Sequence, residues 1–203
     1  MPSNRHVMGL EWEYALPPKA IRSAFRCRNE ACTTFYSDEA ERYHTIGAAC
    51  IITAWKSAAH DDVAGFVTFA PNGLRGQKYS TAVERELGPD YSMEGKSLPC
   101  WFIGQLARAD SPELRGLGKS LVWLAIMDIV QRARHGAGSC IMIEAEHRPL
   151  VDFYVREFGF TPLYPSLQTW KEVGVRGGGK MLLYLTVEKA TAILRQAGIP
   201  IRD

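Results

Sequence analysis

The spacing of apolar and polar positions along the chain changes period several times, and each change marks an element. Residues 7–16 mix aromatic and aliphatic side chains with Glu11 and Glu13 in near alternation, and Pro17-Pro18 stops the run, so an opening strand is expected. Residues 19–28 predict a short helix. Asn29 then supplies an N-cap, and Ala31, Phe35, Ala40 and Tyr43 recur at helical spacing over 30–44, which predicts a second helix broken off at Gly47. Two apolar runs, 48–55 and 63–70, flank the polar stretch 56–62 and read as a β-hairpin.

Residues 71–99 carry several Gly and Pro residues and only 80–87 has a helical pattern, so a long loop insertion is expected there. The pattern then clears. The apolar run 100–107 reads as a buried strand, Gly116 and Gly118 as a turn, and 121–134 as a helix. A strand at 140–145 follows, then a helix that starts at His147-Arg148-Pro149 and ends near Phe158. Beyond Gly159-Phe160 come a short strand, a loop at 170–179, a strand at 181–187 and a closing helix at 188–197. Two early helices followed by strands with crossover helices predict an α/β fold with a mixed sheet, in a single domain spanning 1–203.

Composition narrows the class. With 46% hydrophobic and 23% charged residues the chain has the composition of an ordinary globular protein, and disorder is not indicated. A formal charge of +2 is too small to announce nucleic acid by itself, though it leaves room for a local basic face. No apolar run approaches a membrane span, and residues 1–10 lack a signal-peptide core, so a cytoplasmic protein is expected. The five cysteines, Cys27, Cys32, Cys50, Cys100 and Cys140, are odd in number and lie in apolar segments, which fits free thiols in a reducing compartment. Cys27 and Cys32 have no second Cys or His pair to complete a zinc pattern, and no metal is expected.

The candidate chemistry centres on the turn. Arg115, Gly116, Leu117, Gly118, Lys119 and Ser120 stand between a strand and a helix. The two glycines let a ligand approach the backbone, and the N–H groups of a first helical turn have no partner inside the helix. The helix N-terminus attracts phosphate, and Arg115 and Lys119 add full charges. A tight strand-to-helix connection without a ligand would use the same glycines. Gly118-Lys119-Ser120 matches the end of a nucleotide-triphosphate P-loop, but that motif needs glycine at 113, where Glu113 stands.

Residues 113–118 resemble the pyrophosphate turn of the GCN5-related N-acetyltransferases (GNAT family), in which Gln or Arg is followed by two residues, Gly, one residue, and Gly or Ala. Both glycines match and Glu113 departs. Downstream, Asp152-Phe153-Tyr154 with Gly159-Phe160 is similar to that family's Phe-Tyr and Gly-Phe signature, with four residues between Tyr154 and Gly159 where three are usual. The resemblance implies a mixed central sheet with a splay between two parallel strands, flanked by helices. It implies acetyl-CoA as cosubstrate, with its pyrophosphate on the amides from Arg115 to Ser120 and its pantetheine arm on the strand backbone of Leu106, Ala107 and Arg108. Tyr154 becomes the general acid that protonates the leaving thiolate. A phenol with a pKa near ~10 carries its proton at pH 7 and suits that role; a core tyrosine packed beside Phe153 and Phe158 is the alternative. For a general base the sequence offers Glu144, Glu146 and Asp110, which read equally well as solvated carboxylates at loop edges.

Residues 25–30, the helix and strand after them, and the 84–107 stretch look like the toxin-type acetyltransferases of bacterial toxin–antitoxin pairs, a likeness that covers about 21–187. It implies that the acceptor is the α-amino group of an aminoacyl-tRNA, whose modification blocks translation. It also implies a ribbon-helix-helix antitoxin as partner and a homodimer. Phosphate contacts dominate tRNA binding, so Arg22, Arg26, Arg28, Lys171 and Arg176 are candidate contacts, with Arg75, Lys78 and Lys180 behind them. The same motifs also fit acetylation of a small amine or a protein N-terminus, and, outside catalysis, an acetyl-CoA-binding sensor.

Overall fold

The computed structural model describes residues 5–7, 10–75, 80–87, 97–136, 138–163 and 180–199. The described strands are β1 Arg5–Val7, β2 Leu10–Glu13, β3 Cys50–Trp55, β4 Val63–Arg75, β5 Ser97–Arg108, β6 Cys140–Ala145, β7 Thr161–Pro162 and β8 Met181–Thr186, in the sheet order β1-β2-β3-β4-β5-β6-β8-β7. The helices are α1 Lys19–Ala24, α2 Glu30–Thr34, α3 Ala40–Thr45, α4 Ser80–Leu87, α5 Leu117–Ala133, α6 Arg148–Phe158 and α7 Val187–Gln196. Contacts divide the chain into two compact units, Met1–Ala70 with Ile103–Ala125, and Pro71–Phe102 with Ile126–Asp203.

In the first unit, β1 to β4 form an antiparallel meander. The expected single opening strand is instead the β1–β2 hairpin. Residues 51–55 of β3 are all buried, so this strand reads as a continuous apolar run rather than an alternating one. The helix expected over 19–28 stops at Ala24, because Phe25 turns to an extended conformation and buries its ring edge-on against Tyr36 and Phe66. Asn29 is the N-cap of α2, accepting from the Ala31 and Cys32 amides. The helix expected over 30–44 is divided by a π turn at Phe35–Glu39. That turn holds Tyr36 fully buried, stacked on Phe66 at 4.1 Å, with its hydroxyl 2.9 Å from Thr53 Oγ1. Burial pushes the Tyr36 phenol well above its ordinary range, although the Thr53 bond and the Arg22 charge oppose the shift.

In the second unit, β6, β8 and β7 are antiparallel neighbours. The β5–α5–β6 order supplies the crossover that a parallel pair requires, and the two strands start together through the Ser139 amide, which donates to Pro99 O at 2.8 Å. The loop insertion expected over 71–99 is largely absent from the described residues. Strand β4 continues to Arg75, α4 occupies Ser80–Leu87, and β5 begins at Ser97, because Leu74 and Leu98 both find buried positions that prolong the strands. His147 Nδ1 caps α6, and the Tyr154 carbonyl receives the amides of both Gly159 and Phe160. The extra residue before Gly159 is thus taken up in a widened last turn, closed by Gly159 at φ +75°. No described helix is long and apolar enough to cross a membrane.

Candidate active site

The turn after β5 is built from a short 3-10 segment, Pro112–Leu114, followed by Arg115 and Gly116. Leu114 is buried and anchors it, and Gly116 adopts φ +96°, a conformation that costs a residue with a Cβ. The expectation that all amides from Arg115 to Ser120 are available is corrected by their hydrogen bonds. Arg115 N–H donates to Pro112 O at 3.2 Å, while Lys119 and Ser120 N–H donate to Gly116 O at 3.0 and 3.4 Å. Gly116, Leu117 and Gly118 are left, and their amides have no acceptor among the described residues. Leu117 is buried, so it offers only its backbone, and a Cβ built on Gly118 meets nothing within 4 Å. Arg115 and Lys119 are exposed beside them. Three consecutive unpaired amides at a helix start, open space over the second glycine and two cations fit a diphosphate.

Glu113, the departure from the expected motif, is turned back on its own segment. Hydrogen bonds from Ser111 and from its own backbone, with Lys56 nearby, hold its carboxyl below the usual carboxylate range.

Beside this turn in the chain, the end of β5 lines a cavity of about 180 Å3. One wall is Leu106, Ala107 and Arg108; the other is the turn 27–29, with Asp110 completing the lining. The wall is held from behind. A Cβ on Gly65 would lie 2.7 Å from Ala107 O, so only glycine lets β4 lie this close to it. On the other side, the Asp110 amide donates to Arg26 O at 3.1 Å, Cys27 N–H to Thr33 Oγ1 at 3.3 Å, and the Cys32 thiol to Gln105 Oε1 at 3.3 Å. The Arg108 guanidinium braces the backbone at Ala109 O and Ser111 O, 3.2 and 3.0 Å away.

The basic residues separate sharply. Arg22 is corrected as a surface contact: its side chain is buried, donating to Pro17 O and Glu41 Oε2, both at 2.6 Å, and so is committed to tying α1 to α3. Arg26 is exposed but folds back on Ser23 O and Phe25 O. Arg28 lines the cavity and pairs with Asp110 Oδ1 at 3.1 Å. Lys171 and Arg176 lie outside the described residues, as does the loop expected at 170–179. Of the candidate bases, Glu144 and Glu146 each stand 3.7 Å from Lys180 Nζ, whereas Asp110 lies at the cavity.

Tyr154 belongs to the second unit, on α6, where it is 4% exposed within an aromatic cluster of Phe153, Phe158 and Phe160. Sequence reasoning gave no sign of the Arg28–Asp110 pair or of Cys27 in the cavity lining. The N-cap at Asn29, which fixes where α2 begins and so where 27–29 turns, was the available signal.

A mixed sheet in which a strand, a glycine turn and a long helix lead across to a parallel strand has the fold of the GCN5-related N-acetyltransferases. No family model matches the sequence. Among solved structures, the chain matches a Tyr-to-Phe mutant of KacT at 19% identity and a TM-score of 0.69, covering 91% of this chain and 98% of that one. It matches AtaT complexed with acetyl-methionyl-tRNAfMet at 19% identity and a TM-score of 0.69, over 91% and 99% of the two chains. The AtaTR complex bound with acetyl-CoA matches at 18% identity and a TM-score of 0.66, over 91% and 98%. The fold is therefore that of the GNAT toxin acetyltransferases of toxin–antitoxin systems, at low identity and nearly full length.

Proposed function

We propose that this chain is an acetyl-CoA-dependent N-acetyltransferase whose acceptor is the α-amino group of an aminoacyl-tRNA. The observation that carries the reading is the run of unpaired amides at Gly116, Leu117 and Gly118, with empty space over Gly118, at the helix start where this fold's cosubstrate pyrophosphate belongs. Bound there, acetyl-CoA supplies an activated acyl group as a thioester. The strand edge at Leu106, Ala107 and Arg108 offers backbone to the pantetheine arm and an N–H to polarise the acyl oxygen. Tyr154 Oη donates a proton to the departing sulfur, a role supported by its place in the 152–160 motif. Structures of KacT and of AtaT have both been solved with one tyrosine changed to phenylalanine, a change that removes only a phenolic hydroxyl.

The tRNA acceptor is supported by AtaT's complex with acetyl-methionyl-tRNAfMet. An α-amino group, with a pKa near ~8, is partly neutral at pH 7 and needs less help from a base than a lysine amine near ~10.4. AtaT bound to the C-terminus of the antitoxin AtaR supports an antitoxin as partner; that it is of the ribbon-helix-helix kind, and that the chain is a homodimer, belong to the same proposal. The test is transfer of labelled acetyl groups to bulk charged tRNA by the wild type and by Tyr154→Phe. The expected outcome is a loss of about a hundredfold or more in kcat for the variant, with acetyl-CoA affinity kept. Wild-type protein that acetylates a small amine but no charged tRNA would overturn the acceptor, and a fully active Tyr154→Phe would overturn the acid.

A further inference from the structure

The cavity at the end of β5 carries two opposite charges, Arg28 and Asp110, and their partners distinguish them from the neighbouring Arg26 and Arg108. Arg108 is bound to two carbonyls and Arg26 to two others, whereas the Arg28 and Asp110 side chains have only each other among the described residues. Their side chains are 81% and 52% exposed, so water competes with the 3.1 Å pair, and an incoming ligand can exchange with either partner. Their backbone is fixed all the same. The Asp110 amide is tied to Arg26 O, and the turn at 27–29 is tied through Thr33 and the Asn29 cap, so both charges are presented from rigid supports around the wall at Leu106, Ala107 and Arg108.

We propose that this pair reads the acceptor: Asp110 receives the amine as its ammonium form, and Arg28, released from Asp110, takes an anionic group borne by the same molecule. A substrate with both charges breaks one ion pair and makes two. A neutral-bodied amine breaks the pair and makes only one. The site therefore selects amines that carry an anion close by, which is the chemistry of an amino acid esterified to the terminal ribose of a nucleic acid, whose nearest anion is the phosphodiester of that same nucleotide. It selects against simple alkylamines. The inference rests on the acetyltransferase reading of this chain and names the side chains that give that reaction its acceptor class.

The experiment measures binding without chemistry. With coenzyme A in place of acetyl-CoA, the affinity of the full chain for charged tRNA and for the same tRNA with its amino acid already N-acetylated is measured at fixed salt. Wild-type protein is expected to prefer the free amine by about tenfold. Asp110→Asn removes that preference and Asp110→Glu restores part of it. Arg28→Ala weakens both tRNAs alike, about tenfold, and flattens their salt dependence. Wild-type protein that does not discriminate between the two tRNAs, or an Asp110→Asn variant that still does, overturns the assignment. Failure of the underlying reaction is read separately, as absence of acetyl transfer by wild-type protein in which the discrimination is intact.

Discussion

The turn at 115–118 and the cavity at 27–29 with 106–110 lie close together in the same unit and solve recognition in opposite ways. The turn offers backbone: three amides, one glycine that sets the chain direction and one that leaves space. The cavity offers side chains, Arg28 and Asp110, set on a wall that other residues hold in place. A backbone site depends little on its neighbours' side chains, and Glu113, which departs from the Gln or Arg of the motif, has its carboxyl held below the usual range by Ser111 and its own backbone. A side-chain site changes specificity with each substitution. On the proposed function, the cosubstrate would fall to the backbone and the acceptor to side chains.

This contrast gives two ways to break the site selectively. The largest effect is expected from Gly118→Val. The space over Gly118 is empty and its φ is not positive, so the protein should fold with its melting temperature within a degree or so, yet the new methyls occupy the ligand's approach. Acetyl-CoA affinity measured by calorimetry should fall by about a hundredfold, or roughly 2.7 kcal/mol. A smaller and different effect is expected from Gly65→Ala, which touches no ligand. Its Cβ meets the Ala107 carbonyl at 2.7 Å and Leu121 at 3.1 Å, so the strand pair must separate. Denaturant unfolding should show a loss of about 2 kcal/mol. Acetyl-CoA binding and transfer to the acceptor should both weaken, because the wall that moves also offers its backbone to the pantetheine arm, while the turn at 116–118 keeps its place and acetyl-CoA affinity falls less than in Gly118→Val.

Much of this was legible in the chain, for identifiable reasons. The end of α6 at Phe158, the span of β6 and the Asn29 cap followed from strong local signals: an αL glycine, a short apolar run between turns, and a capping residue ahead of a helical pattern. The π turn at Phe35–Glu39 was not legible, because it comes from packing Tyr36 between Phe66 and Thr53, residues that are distant in sequence. Arg22 failed as a surface contact for the same reason, since its partners at Pro17 and Glu41 are set by tertiary structure rather than by its own polarity. The strands beyond Ala70 and before Cys100 were hidden by Gly and Pro, whose turn preference was overridden by burial of Leu74 and Leu98. In the site, the glycine turn was visible as a motif, but which of its amides are spoken for depended on the hydrogen bonds of Pro112 and Gly116.

The most direct measurement is amide hydrogen exchange at Gly116, Leu117 and Gly118, followed by NMR with and without acetyl-CoA. The backbone cradle predicts fast exchange of these three amides in the free protein and marked protection of all three when acetyl-CoA is bound, with Arg115, Lys119 and Ser120 changing far less. Unchanged exchange at 116–118 in the presence of saturating acetyl-CoA would contradict the account, whatever the protein then proved to bind.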